Sequence, residues 1–258
     1  MTVNLSVLEE LSHDIGHALQ QRQGYWRDSL QACIAWSLPA LAKRSLRQGL
    51  QGIWYKSATH LPNSGCIVAA NHHSWWDAYL VWLFVREQNR PFSAMMDEAQ
   101  LERFPFFRNH GIIGKREVRE ALRRLEQGHS FVIFPEGQLC PPGEVTALHP
   151  GVMFLAARAR VPVYPLAVRL CLRGGQYPEA FLQLGRALEL PSDPEAQLSH
   201  LQDSLNILLS DIDHDIARSD PEGIPEGNYS RWLRGQQSFH LRVAWLSSWL
   251  RSEPKPGS

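Results

Sequence analysis

Cys66-Ile67-Val68-Ala69-Ala70-Asn71-His72-His73-Ser74-Trp75-Trp76-Asp77 contains the transition that decides the fold. Its five leading apolar residues, preceded by the Leu61–Gly65 turn, predict a short buried strand over Cys66–Ala70. Trp75–Val85 then predicts a helix. Ser74-x-x-Asp77 at its start has the spacing of a helix N-cap followed by an acidic first-turn residue. Between the two elements, at the strand's carboxyl end, lie Asn71, His72 and His73, and open α/β sheets place their ligands at such ends. His72 and Asp77 are the minimal pair for drawing a proton from a hydroxyl, the carboxylate orienting the ring and stabilising the imidazolium. A cap accounts for Ser74 and Asp77 but not for the Asn-His-His run, and the two readings are compatible. No neighbouring serine, cysteine or lysine has the setting of a protein nucleophile, which points to attack by a substrate's own hydroxyl.

Working outward, strands are predicted over Pro91–Met96, Ser130–Phe134, Val161–Leu170 and Phe181–Leu184. Helices are predicted over Arg116–Gln127 (ended by Gly128), Gly151–Arg160 and Gln197–Ile216. Leu101–Phe107 is an aromatic-proline cluster. Alternating strands and helices from Cys66 onward predict an α/β fold, a single domain with a central mixed sheet flanked by helices. Amphipathic helices are expected at both ends. Leu5–Gln21 is one, Trp26–Tyr55 carries an apolar stripe interrupted by Pro39, and Trp232–Arg251 mixes tryptophan with arginine. The divisions expected are 1–60, an N-terminal helical region at a membrane interface; 61–220, the α/β core; and 228–251, a C-terminal amphipathic helix.

The chain has 258 residues, with 26 Lys+Arg balanced by 26 Asp+Glu, so no global field draws it to nucleic acid. Cys33, Cys66, Cys140 and Cys171 are widely spaced and form no CxxC pair, the usage of a reduced, cytoplasmic protein without a disulfide framework or zinc site. Met1–Gln23 has no signal-peptide apolar block, and no run of about 18 uncharged apolar residues predicts a membrane span. Three further segments stand out. Phe134-Pro135-Glu136-Gly137 follows a strand directly; it is an ordinary turn by composition, or a site in which Glu136 binds substrate hydroxyls or holds a catalytic loop. Gly111-Ile112-Ile113-Gly114-Lys115-Arg116 could present backbone amides and cations to a phosphate, although a Lys-Arg pair opening a helix is usually solvated. Val161-Pro162-Val163-Tyr164-Pro165 is an apolar strand with prolines and carries no chemistry of its own.

In this order and spacing the four segments resemble the glycerolipid acyltransferase family, of which lysophosphatidate acyltransferases are the best-known members. That family's signature is an Asn-His-x-x-x-x-Asp block, a glycine-to-arginine block, a Phe-Pro-Glu-Gly block and a Val-Pro-x-x-Pro block. The resemblance spans roughly Ile67–Leu170. It implies an O-acyltransferase that moves a fatty acyl group from acyl-CoA or acyl carrier protein to a lipid hydroxyl, with no cofactor and no metal. His72 would be the general base and Asp77 its partner, with Ser74 capping the helix and Asn71 completing the block. Arg116 and Lys115 would contact an acceptor phosphate, and Glu136 and Gly137 would line the acceptor site.

Two departures are visible. The second block is one residue short and ends Lys115-Arg116 in place of Asp-Arg. The third is followed by Gln138-Leu139-Cys140 rather than a hydroxyl residue and an arginine, and His149-Pro150 precede Gly151 where a lysine is usual. The resemblance implies a lysophosphatidate-like acceptor; the departures raise the alternative of the same chemistry on a non-phosphate acceptor, a glycolipid, another lyso-lipid or a lipid alcohol. A metal-dependent hydrolase built on His72, His73, Asp77 and His110 or His129 is a rival. A non-catalytic lipid-surface module is another. The nine tryptophans, concentrated at 26–54, 75–82 and 232–249 beside Arg and Lys, predict peripheral contact with the inner membrane surface.

Overall fold

The computed structural model describes residues 33–34, 36–239 and 243–244. The expected helix over Leu5–Gln21, together with Trp26, Trp245 and Trp249, lies outside them.

The architecture is α/β, one eight-stranded sheet covered by helices on both faces. In chain order the elements are helix α1 (36–49), β1 (Gly52–Ser57), β2 (Cys66–Ala70), α2 (Asp77–Glu87), β3 (Phe92–Met96), α3 (Glu98–Arg103), a 3-10 turn over Pro105–His110, β4 (Ile112–Gly114), α4 (Val118–Glu126), β5 (Ser130–Ile133), α5 (Gly151–Ala159), β6 (Val163–Cys171), β7 (Glu179–Leu184), α6 (Pro194–Arg218) and β8 (Ser230–Arg234). The strand order is β4-β3-β5-β2-β6-β7-β1-β8. Neighbours from β4 to β6 are parallel, β7 runs antiparallel to β6, β1 parallel to β7 and β8 antiparallel to β1.

β2 is central and buried at every residue, which is why it reads as an unbroken apolar run. Its side chains still alternate. Cys66, Val68 and Ala70 join the core layer beneath α1 and α2, while Ile67 and Ala69 join the layer beneath α4, α5 and α6. On α1, Leu38, Ala42 and Leu46, with Leu50 just past its end, recur every four residues and turn one face inward. Trp36 and Leu41 stay on the exposed face.

Two expectations about the ends are corrected. The apolar stripe expected to stay helical to Tyr55 stops at residue 49, and Ile53 and Trp54 belong to β1, pointing into opposite core layers. Gly49 lies against the Trp76 ring, where a Cβ would come within 2.4 Å, so the chain passes close to α2 before entering the sheet. The helix expected over Trp232–Arg251 begins as a strand instead: Ser230–Arg234 pairs with the open edge of β1. Arg231 lies 4.4 Å from the Trp54 ring centroid, and the Trp232 indole donates to Glu87. Tryptophan and arginine here knit an edge strand to the core.

Gly52 pairs with Glu179, and Glu179 with Cys171 at the carboxyl end of β6. The chain therefore enters β1 and, through Arg234, leaves β8 at the edge of the sheet where β2 ends.

Glu179 holds that corner. It is 1% exposed, accepts from Trp54 Nε1 at 2.9 Å and receives Arg173 Nε at 2.5 Å. Removing one member of a buried pair strands the other charge. Glu179→Ala is expected to lower unfolding free energy by about 3–5 kcal/mol, measured by urea denaturation; a loss under about 1 kcal/mol, the range of a surface pair, would mean that the corner is held elsewhere.

Candidate active site

Beyond Ala70 the chain leaves the sheet, and each residue of the following turn is fixed by a partner distant in sequence. Asn71 is 3% exposed and mimics a backbone unit: Nδ2 donates to the Val168 carbonyl at 2.9 Å and Oδ1 accepts the Val168 N–H at 2.7 Å. It extends the β2–β6 ladder by one residue. Asn71 is expected from the resemblance to bind substrate, and both ends of its amide are engaged in positioning the turn.

Asp77, the first residue of α2, has no exposed surface. Its Oδ2 accepts the His73 N–H at 2.7 Å and the Ser74 N–H at 2.8 Å, and faces His72 Nδ1 at 3.1 Å. Ser74 Oγ accepts the Trp76 N–H at 3.1 Å. Side chain and backbone thus answer each other across Ser74–Asp77 in the manner of a capping box, so Ser74 shapes the turn and its hydroxyl is committed there. The cap and the catalytic pair are one structure. With Nδ1 donating to Asp77, the His72 Nε2 lone pair is on the far side of the ring. The ring stacks on Phe134, with centroids 4.4 Å apart.

The loop after β5 holds the same residue from the other side. Glu136 Oε1 accepts the His72 backbone N–H at 2.6 Å, and the Cys140 N–H donates to the His72 carbonyl at 2.8 Å. Glu136 therefore frames the base. Gly137 has φ +73°, and a Cβ there would meet the His149 ring at 2.7 Å, two reasons for glycine at that position.

His73, unassigned by pattern, carries a second anchor. Its Nε2 accepts the Leu170 N–H at 3.1 Å, which puts the ring proton on Nδ1, facing Asp77 Oδ2 at 3.7 Å. Burial pulls its pKa below the ordinary histidine value, against the opposing pull of Asp77.

His72 opens onto an apolar cavity of about 360 Å³, walled by Trp75, Tyr79, Met96, Phe104, Phe107 and Phe134. Spacing alone did not reveal it, because its walls come from α2, β3, the 3-10 turn and the loop after β5.

Within the glycine-to-arginine block, Ile112–Gly114 forms edge strand β4. Lys115 Nζ is bound to Asp97 Oδ2 at 2.5 Å, so the expected phosphate contact is already occupied by a carboxylate. The Arg116 N–H donates to Glu98, and its exposed side chain stands at the carboxyl edge of β4. That is three strand steps from β2, about 14 Å at ~4.8 Å per step. Among the described residues no group of three or more His, Cys, Asp or Glu side chains is placed to hold a metal ion. His110 packs edge-on to Trp82 and His129 bonds to Ser93, neither joining His72 and Asp77, so the hydrolase constellation does not assemble.

Residues 52–169, the segment that carries this site, match the family model described as Acyltransferase. Among solved structures, the 1-acyl-sn-glycerophosphate (LPA) acyltransferase PlsC from Thermotoga maritima is similar in fold. Its TM-score is 0.57 at 19% identity, over 72% of this chain and 83% of that one.

His73 makes stability pH-dependent. With the folded pKa below the unfolded value near 6.5, the unfolded chain binds the proton first, so stability is full above that value and falls as pH drops toward the folded pKa. Urea midpoints are expected to fall from pH 7.5 to 5.5, and to fall less in His73→Asn. An identical pH slope in the variant would remove His73 as a source of that loss.

Proposed function

We propose that this chain moves a fatty acyl group from a thioester of coenzyme A or acyl carrier protein to a hydroxyl of a lipid acceptor, with His72 as general base. The observation that carries the reading is the His72–Asp77 pair at the mouth of an apolar cavity, with Nδ1 anchored and Nε2 unanchored. Nε2 takes the acceptor hydroxyl's proton as the oxygen attacks the thioester carbonyl, and Asp77 stabilises the imidazolium. The tetrahedral intermediate collapses with cleavage of the C–S bond. The imidazolium returns the proton to the departing thiolate, giving ester and free thiol. No acyl-enzyme and no cofactor enter the balance. The cavity's aromatic and thioether walls suit an alkyl chain.

Arg116 supports an anionic acceptor such as lysophosphatidate, because its guanidinium is exposed at the catalytic edge and has no ion-pair partner among the described residues. The Lys115–Asp97 pair and the three-strand separation of Arg116 favour a second reading, the same transfer to an uncharged lipid hydroxyl. A bilayer surface is the proposed setting. Trp75 (67% exposed) and Leu139 (55%) flank the catalytic cavity. Among the described residues no helix is long and apolar enough to cross a membrane. Peripheral binding at the inner face of the cytoplasmic membrane follows from this reading.

The test is thiol release from a labelled acyl-CoA by the purified protein, with lysophosphatidate and an uncharged lyso-lipid as parallel acceptors. Release is expected to depend on acceptor and to fall about 10²–10⁴-fold in His72→Ala, the usual contribution of a positioned base. Acceptor-independent release, or a wild-type rate in the variant, contradicts the assignment.

A further inference from the structure

A second cavity, of about 510 Å³, lies at the opposite edge of the sheet. It is bounded by the last turns of α2 and α4 and by the starts of β3, β4 and β5. These strands run parallel to β2, so the cavity is at their amino ends while His72 follows the carboxyl end. The length of β5 alone separates the two edges by roughly 13 Å at ~3.3 Å per residue. The two cavities abut at Trp82, Phe92 and His110 but differ in character, the catalytic one being apolar and this one basic.

Arg86, Arg90, Arg123 and Arg124 all line it, in a chain whose charges balance overall. Among the described residues Glu120, paired to both Arg123 and Arg124, is the one carboxylate bound to any of the four. Arg90 is held by neutral acceptors, Asn63 Oδ1 and the Ser64 and Gly128 carbonyls, and its buried Nε has no hydrogen-bond partner among the described residues. Arg86 lies 5.6 Å from the Trp82 ring centroid and has no acidic partner among the described residues.

The bland account is that basic residues offset the negative carboxyl ends of α2 and α4. Those ends supply only about half an elementary charge each, which leaves the cavity positive by about two charges. At neighbouring His129 burial lowers the pKa, and Arg124 and Arg123 lower it further, against the Phe92 carbonyl and Glu120. All four cations are arginines, whose planar forks match the oxygens of a phosphate. A pocket this size takes a small molecule rather than a single ion.

We propose that this cavity binds a phosphorylated, dianionic small molecule from solution, at a site separate from the acyl-transfer site. A phosphate could also be presented by a lipid headgroup. Exposed Trp75 and Leu139 flank the catalytic cavity at the other edge of the sheet, so the soluble source is the one that the geometry favours.

Titration calorimetry and thermal melting of the full chain at fixed ionic strength test this, with inorganic pyrophosphate as probe and sulfate as control. Saturable pyrophosphate binding is expected, with a rise in Tm beyond that given by sulfate. In Arg86→Gln/Arg123→Gln the dissociation constant should rise at least tenfold while acyl transfer is unchanged. Both side chains are exposed, and an unaltered circular dichroism spectrum confirms folding; Arg86→Lys, which keeps the charge but loses the fork, should bind at intermediate strength. No saturable binding, a sulfate effect of equal size, or equal binding by wild type and double variant overturns the proposal. So does a double variant whose only defect is loss of flotation with phosphatidate vesicles, which would place a lipid headgroup there instead.

Discussion

A single carboxylate oxygen organises the catalytic turn. Asp77 Oδ2 gathers the backbone N–H groups of His73 and Ser74 and the Nδ1 of His72, in a position without solvent exposure. Backbone N–H groups leaving a strand end have no ladder partner, and leaving them buried and unpaired would cost free energy comparable to a lost hydrogen bond each. The carboxylate satisfies two of them and, with the same atom, fixes the imidazole. Turn geometry and base orientation are therefore one constraint. Its spacing follows: a residue three positions past Ser74 is the first that α2 can offer back to the turn.

The surrounding structure keeps that turn in register. Asn71 and His73 clamp it to Val168 and Leu170 of β6 on one side. Glu136 and Cys140 clamp His72 from the loop after β5 on the other. β5 and β6 flank β2, so the base is held by both neighbours of the strand that delivers it. Blocks separated by some sixty to a hundred residues meet because parallel strands end at a common edge. The second block reaches that edge too, but at the far side of the sheet, and this is the physical content of its looser connection to the chemistry.

The strand–turn–helix unit was legible because Cys66–Ala70 is buried on both faces and therefore unbroken in sequence, and because Ser74 and Asp77 interact locally. The partners of Asn71 and His73 were not legible, being backbone groups of Val168 and Leu170, 97 residues away, that no side chain announces. The pairing of Lys115 was not legible because a cation's partner is set by the fold, and Asp97 belongs to another strand's end. Trp54 and Trp232 were read as helical because tryptophan at an edge strand and tryptophan on an interfacial helix look alike until pairing is known; the open edge of β1 decides between them. The arginines of the second cavity are scattered over Arg86–Arg124, and only the common start of β3, β4 and β5 assembles them.

The most direct test of the organising role given to Asp77 is Asp77→Asn. An asparagine with its carbonyl oxygen in the Oδ2 position keeps all three N–H contacts and puts its amide where Oδ1, buried without a hydrogen-bond partner, now sits. The turn survives and the charge behind the imidazole is lost. Single-turnover acyl transfer at saturating acceptor is predicted to slow about 10²–10⁴-fold with the melting temperature little changed. A rate within about twofold of wild type in a folded Asp77→Asn protein would contradict the account, since the base would then act without the carboxylate on which its orientation is said to depend.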